Sequence, residues 1–300
     1  MNQESFESTD GVEVHYRSWP VASARGSVVI AHGASEHSGR YGRFAGALND
    51  AGLAAFALDH RGHGATALST GPGRLGDAGM QGVLDDLAHL VSIAAQRTGA
   101  PVVLFGHSMG SLFVQALVER GDCDLAGYVL SGSMGPLAEG MDEVVTALGA
   151  AVDAGMGDET LDVLGSFNDA FEPARTPYDW LSRDVAEVDA YVDDPLCGDG
   201  TPLTHAYAAG MMAMIQDAMS GEGVARTPAG TPVMLVTGTE DPVSGNSSQV
   251  RLLEESLRSA GAEVTARYYA GARHELLNET NRDEVTADIV DWVTTCLSPS

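Results

Sequence analysis

Residues 102–110 read Val-Val-Leu-Phe-Gly-His-Ser-Met-Gly, an apolar run that leads into Gly106-x-Ser108-x-Gly110 and then into a helical pattern. A serine at that spacing, on a sharp strand-to-helix turn, is suited to nucleophilic catalysis. The turn holds the serine in a strained backbone conformation, and glycines two residues to either side remove side chains that would collide there. It also sets the hydroxyl at a helix N-terminus, where the dipole favours a developing anion. The three-residue pattern alone recurs by chance. A strand ending at Phe105 and a helix opening at Met109 give it weight.

A serine hydroxyl is a weak nucleophile and needs a base oriented by a buried acid. Both have candidates downstream, each just past an apolar run. Residues 232–237 lead to Gly238-Thr239-Glu240-Asp241, and the run ending in Arg267-Tyr268-Tyr269 leads to Gly271-Ala272-Arg273-His274. Of nine histidines, only His274 follows the last such run and precedes the final helical segment. Ser108, Asp241, His274 is the order expected of nucleophile, acid and base, each partner just after a later strand. Glu240 is the rival acid and is expected to face solvent. For the oxyanion, residues 28–31 open into His32-Gly33-Ala34, and the backbone N–H groups of Ala34 and Met109 are the expected donors. His32 reads as a brace for that loop.

The scaffold is legible from periodicity. Apolar, β-branched runs recur at 11–19, 27–31, 54–58, 102–105, 126–130, 232–237 and 264–269, alternating with helix-period segments at 40–51, 80–96, 109–120, 247–260 and 281–297. Such alternation predicts an α/β protein with a mostly parallel sheet covered on both faces. The first run alternates more than the rest and is expected to form an antiparallel edge. The rhythm breaks once, between about 135 and 228, where Gly-, Asp- and Met-rich pieces are punctuated by prolines and show no buried strand. The expected organisation is a core of residues 1–134 and 229–300 with an inserted cap over 135–228.

Several longer runs together are similar to the monoacylglycerol lipase and lysophospholipase group of α/β-hydrolases: HGASEHSGRY (32–41), LDHRGHG (58–64), GHSMG (106–110), SRDVAEVDAYVDDPL (182–196), GTEDPV (238–243) and GARHELLNE (271–279). The resemblance spans roughly residues 11–293. It implies the α/β-hydrolase fold, the triad Ser108, Asp241 and His274, oxyanion donors at Ala34 and Met109, and a lid over an acyl-binding channel. Ser111 departs from the family, which commonly has a second glycine there, and residues 137–178 match nothing in the family pattern.

Composition narrows the partners. Forty-two acidic against 16 basic residues give a net charge of -26, a field that repels phosphate backbones and anionic lipid surfaces. Nucleic acid is excluded on that ground, and membrane contact through the cap is expected to be weak and transient at most. Three separated cysteines form neither a disulfide framework nor a zinc pattern, and the first residues lack the features of a signal peptide, so a cytoplasmic location is expected. Gly71-x-Gly73-x-x-Gly76 follows no strand and is set aside as a nucleotide site. Asp59, His60 and His63 read as structural rather than metal-ligating, and Asn246-Ser-Ser and Asn278-Glu-Thr are sequons by pattern only. Met211, Met212, Met214 and Met219 read as core packing or as a flexible acyl-chain wall. The oligomeric state is not legible.

The expected activity is metal- and cofactor-free hydrolysis of small, single-chain amphiphilic esters, foremost monoacylglycerols, through an acyl-enzyme. Lysophospholipids, short-chain or aromatic monoesters, aminopeptidase substrates and a non-catalytic binding role are the alternatives. The elbow carries serine where dehalogenases and epoxide hydrolases need aspartate.

Overall fold

Alternating residues of the apolar runs feed two separate cores. In β3 (Ser27–Ala31), Val28 and Ile30 face one side and Val29 and Ala31 the other, and β5 (Val102–His107) splits the same way. One face is covered by the helices Gly79–Thr98, Met109–Arg120 and Ser248–Ser259, the opposite face by Gly42–Asp50 and Arg282–Cys296. Burial on both faces is why these strands read as continuous apolar runs. The computed structural model describes residues 1–136 and 140–298.

The sheet has eight strands in the order β1-β2-β4-β3-β5-β6-β9-β10. The remaining members are β1 (Asn2–Glu7), β2 (Glu13–Trp19), β4 (Ala54–Leu58), β6 (Gly127–Ser131), β9 (Pro232–Gly238) and β10 (Glu263–Tyr269). All are parallel from β4 through β10, so the loops after β3, β5, β9 and β10 leave one common edge. The fold is that of the α/β-hydrolases.

Two expectations are corrected. The run at 11–19 is antiparallel but is not the edge, because β1 pairs outside it. β1 went unseen because NQESFE is polar and exposed, as suits an edge strand guarded by charge. The stretch between β6 and β9 does contain strand, a two-residue ribbon of β7 (Thr160–Leu161) and β8 (Leu203–Thr204), too short to leave an apolar signature. Its other elements are helices, chiefly Met141–Ala151, Val185–Asp193 and His205–Ala218.

The loop after β4 is locked by Arg61, whose side chain is fully buried and bonds Asp86 at 2.7 Å and Asp10 at 2.6 Å. Gly71 to Gly76 wrap beside it, and a Cβ on Gly73 would meet Pro202 O at 2.0 Å, so these glycines serve close packing. Arg61→Met should lower stability by about 3–5 kcal/mol, since two acids lose their buried partner. Urea unfolding at pH 7 measures it.

Candidate active site

Ser108 sits at φ 51° and ψ -121°, a left-handed backbone that a β-carbon rarely adopts, between β5 and the helix Met109–Arg120. A Cβ on Gly106 would lie 2.5 Å from Gly110 O, and one on Gly110 would lie 2.2 Å from Ala31 O. Both glycines are therefore required by backbone approach. Ser108 is partly exposed in a run of buried neighbours. The departure at Ser111 is accommodated by bonding: its hydroxyl donates to Ser108 O at 2.5 Å and reaches Ser133 Oγ at 2.9 Å.

The loops after β9 and β10 bring Asp241 and His274 together. His274 Nδ1 lies 3.0 Å from Asp241 Oδ1, and both side chains are buried. Asp241 Oδ1 also accepts from the Val243 N–H at 3.0 Å. Glu240 is exposed. His274 Nε2 has no hydrogen-bond partner among the described residues, and Ser108 and His274 line the same small cleft without a bond between them. Such bonds are often loose before substrate binds.

Ala34 and Met109 line one cavity with Ser108. Met109 opens its helix, so its N–H is among those with no intrahelical acceptor. The turn holding Ala34 is set by Glu36, which accepts from the Gly33 N–H at 2.5 Å and from Tyr41 Oη at 2.8 Å. His32 bridges Gly33 O at 2.7 Å and the His60 N–H at 3.0 Å, the bracing geometry. Asp59 caps Ser38 and Ala65, and His63 accepts from the Ser35 N–H at 3.1 Å.

Sequence reasoning missed a buried ion cluster. Arg40 forks onto Glu275 at 2.5 and 2.7 Å and bonds Glu36 at 2.8 Å. It thus joins the Ala34 loop to the residue beside His274. Burial pushes both carboxyls up, yet Arg40 holds them below the usual carboxylate range. The Glu36/Arg40 spacing of four residues was the available signal.

It also missed Trp180, from the segment between β6 and β9. Its ring packs on His274 with centroids 4.9 Å apart, and it is 2% exposed. Beside it lies a cavity of about 390 Å³ that reaches Ser108. Leu161, Leu164, Phe167, Met211, Met212 and Ile215 form much of its wall. Met214, grouped with Met211 and Met212 by sequence, is not part of that wall, and Phe171 packs under Arg273 at 4.2 Å.

His37, Asp194 and Cys197 converge within 4.8 Å of one another. His37 Nδ1 accepts from the Gly39 N–H at 3.2 Å, which places its proton on Nε2, facing Asp194 at 2.9 Å. That tautomer makes a hydrogen bond and leaves no ring lone pair for an ion.

A family model described as serine aminopeptidase, S33, matches residues 22–281. The chain belongs to that family. It is 32% identical over 297 residues to a monoacylglycerol lipase of Mycolicibacterium smegmatis, covering 97% of this chain and 96% of the relative. It is 29% identical to the monoglyceride lipase of Homo sapiens, covering 95% and 88%. A thermostable carboxyl esterase from Bacillus coagulans, solved in complex with glycerol, superposes with a TM-score of 0.91 over 99% of both chains at 28% identity. The chain is a serine ester hydrolase of the monoacylglycerol-lipase-like group. Among its described residues, no helix is long and apolar enough to cross a membrane.

Four buried histidines near these loops are held neutral. Burial lowers His32 and His60, takes His63 to about 3 and takes His107 to about 4. The unfolded chain binds protons on these groups below about pH 6.5 while the fold does not. Their contribution is complete above that pH and is lost on acidification, down through about 4 for His107 and about 3 for His63. Urea unfolding between pH 7 and 5 should show stability falling by about 2.5 kcal/mol per pH unit near pH 5 from His63 and His107 alone, at about 1.4 kcal/mol per proton, with His32 and His60 adding in the same direction.

Proposed function

We propose that this chain hydrolyses monoacylglycerols, with Ser108 as nucleophile, His274 as general base and acid, and Asp241 orienting the imidazole. The observation that carries the substrate class is the cavity of about 390 Å³, walled by apolar side chains and reaching Ser108. That volume falls within the range of about 300–1,000 Å³ for small-molecule sites. It suits one acyl chain, and residues 135–228 act as the cap that supplies most of its wall. The activities named for the relatives from Mycolicibacterium smegmatis and Homo sapiens support the same reading.

Ser108 Oγ attacks the ester carbonyl carbon while His274 Nε2 takes its proton, and the Ala34 and Met109 N–H groups hold the oxyanion. Asp241 fixes the Nδ1–H tautomer and stabilises the imidazolium. Collapse expels glycerol, which leaves with the proton from His274, and water repeats the sequence on the acyl-enzyme. The likeness to a carboxyl esterase favours a second reading, short-chain or aromatic monoesters. An amine-recognising site is disfavoured. Asp162 is the one carboxylate on the described cavity wall, and it accepts from the Leu164 and Gly165 N–H groups at 3.0 and 2.8 Å. Contact with lipid aggregates is weak and transient in this reading, with Val144 and Met156 exposed on the cap against a net charge of -26.

Ser108→Ala should lower kcat by about 10³–10⁶ with the fold intact, and Asp241→Asn should damage kcat far more than Glu240→Gln. A folded Ser108→Ala enzyme that keeps a tenth of wild-type kcat rejects the nucleophile assignment. Across monoacylglycerols of two to eighteen acyl carbons, kept below aggregation, kcat/KM should rise one or two orders of magnitude until the cavity is filled, at up to ~0.8 kcal/mol per methylene. A steady fall from the acetyl ester onward selects the short-ester reading.

A further inference from the structure

We propose that Trp180 stabilises the protonated form of His274 during turnover and is thereby a positioning residue supplied by the segment between β6 and β9. The inference rests on His274 being the general base. Its ring and the imidazole are 4.9 Å apart between centroids and inclined by 40°, with both side chains nearly excluded from water. The face of an indole is the most negative of the aromatic side chains, and its attraction for a cation is strongest when both are desolvated. In the active form His274 is neutral and becomes a cation only after it takes the serine proton, so this attraction favours the transition state over the neutral resting enzyme, and it equally favours the protonated free enzyme that forms at low pH.

The contact is held by one backbone bond and by bonds from the Arg273 side chain to backbone carbonyls, which stitch the two segments. The Glu275 N–H donates to Leu181 O at 2.8 Å, and Arg273 Nη1 donates to Asp179 O at 2.5 Å and Ser182 O at 3.2 Å. The Trp180 N–H itself donates to Oδ1 of the buried Asn168 at 3.0 Å. The residues flanking Trp180 and those flanking His274 therefore move together. The indole Nε1–H has no acceptor among the described residues. A phenylalanine would fill the site without burying that donor; the indole adds the stronger π face.

The other groups facing His274 leave room for this role. Asp241 bonds Nδ1, Gly132 backs the ring, and His107 packs at 4.8 Å, itself kept neutral. Glu275 follows in the chain, with its charge paired to Arg40.

The test is kcat/KM against pH for wild type, Trp180→Phe, Trp180→Leu and Trp180→Met, with folding checked by circular dichroism. Leu and Met should lower the plateau about tenfold, through kcat with little change in KM, and move the midpoint of the acidic limb down by about 0.5–1 pH unit. Phe should fall between them and wild type, and any one folded aliphatic variant suffices. A shared midpoint, or a loss confined to KM, overturns the proposal. His274→Ala separates the two readings. If it stays active, the triad reading falls; if it is inactive while the Trp180 series shares one midpoint, only the Trp180 proposal falls.

Discussion

Arg40 lies where the two halves of the site meet. Its guanidinium spans Glu36, which shapes the turn carrying Ala34, and Glu275, which follows His274 in the chain. The residues it connects are 239 positions apart in sequence and belong to loops that leave β3 and β10. A guanidinium suits this position because its planar fork engages one carboxylate at two points while serving another. Without it, two buried acids would face each other across the cleft, and each would take up a proton or draw in water. The turn at Glu36 and the loop at His274 would then be free to drift independently. The proposed oxyanion donor and the proposed base owe their shared frame to this one side chain.

Much of the core was legible because parallel strands buried on both faces leave continuous apolar runs, and amphipathic helices leave a stripe. The turn at Ser108 was legible because only glycine allows the backbone approaches found at Gly106 and Gly110. Polar and very short elements were not. β1 carries no apolar run, and β7 and β8 contain two residues each. Trp180 was also hidden, since one tryptophan within Tyr-Asp-Trp-Leu gives no sign that it meets a histidine 94 positions away. Contacts between distant loops are set by topology, and local periodicity does not encode them.

The segment between β6 and β9 is uneven. Its later part is tied to the core: the Gly198 N–H and Tyr191 Oη both reach Ser35 O at 2.9 Å, and Arg282 bonds Asp184 at 2.8 Å. The helix Met141–Ala151, in contrast, buries none of its residues fully, although Met141, Val144 and Leu148 contribute to the cavity wall. Apolar groups that line a cavity while staying accessible form the least anchored side of the site.

β6 and β9, the strands on either side of that segment, are paired directly, with Leu130 opposite Leu235. The chain therefore departs and returns at neighbouring positions in the sheet, and the pairing of the eight-stranded sheet does not run through what lies between. Such a position can accept replacement of the whole excursion, in length and in lining, while the strands below keep their register. Trp180 sets a limit on that freedom: an exchanged segment that omits its ring would inherit a complete sheet but an altered surrounding for His274.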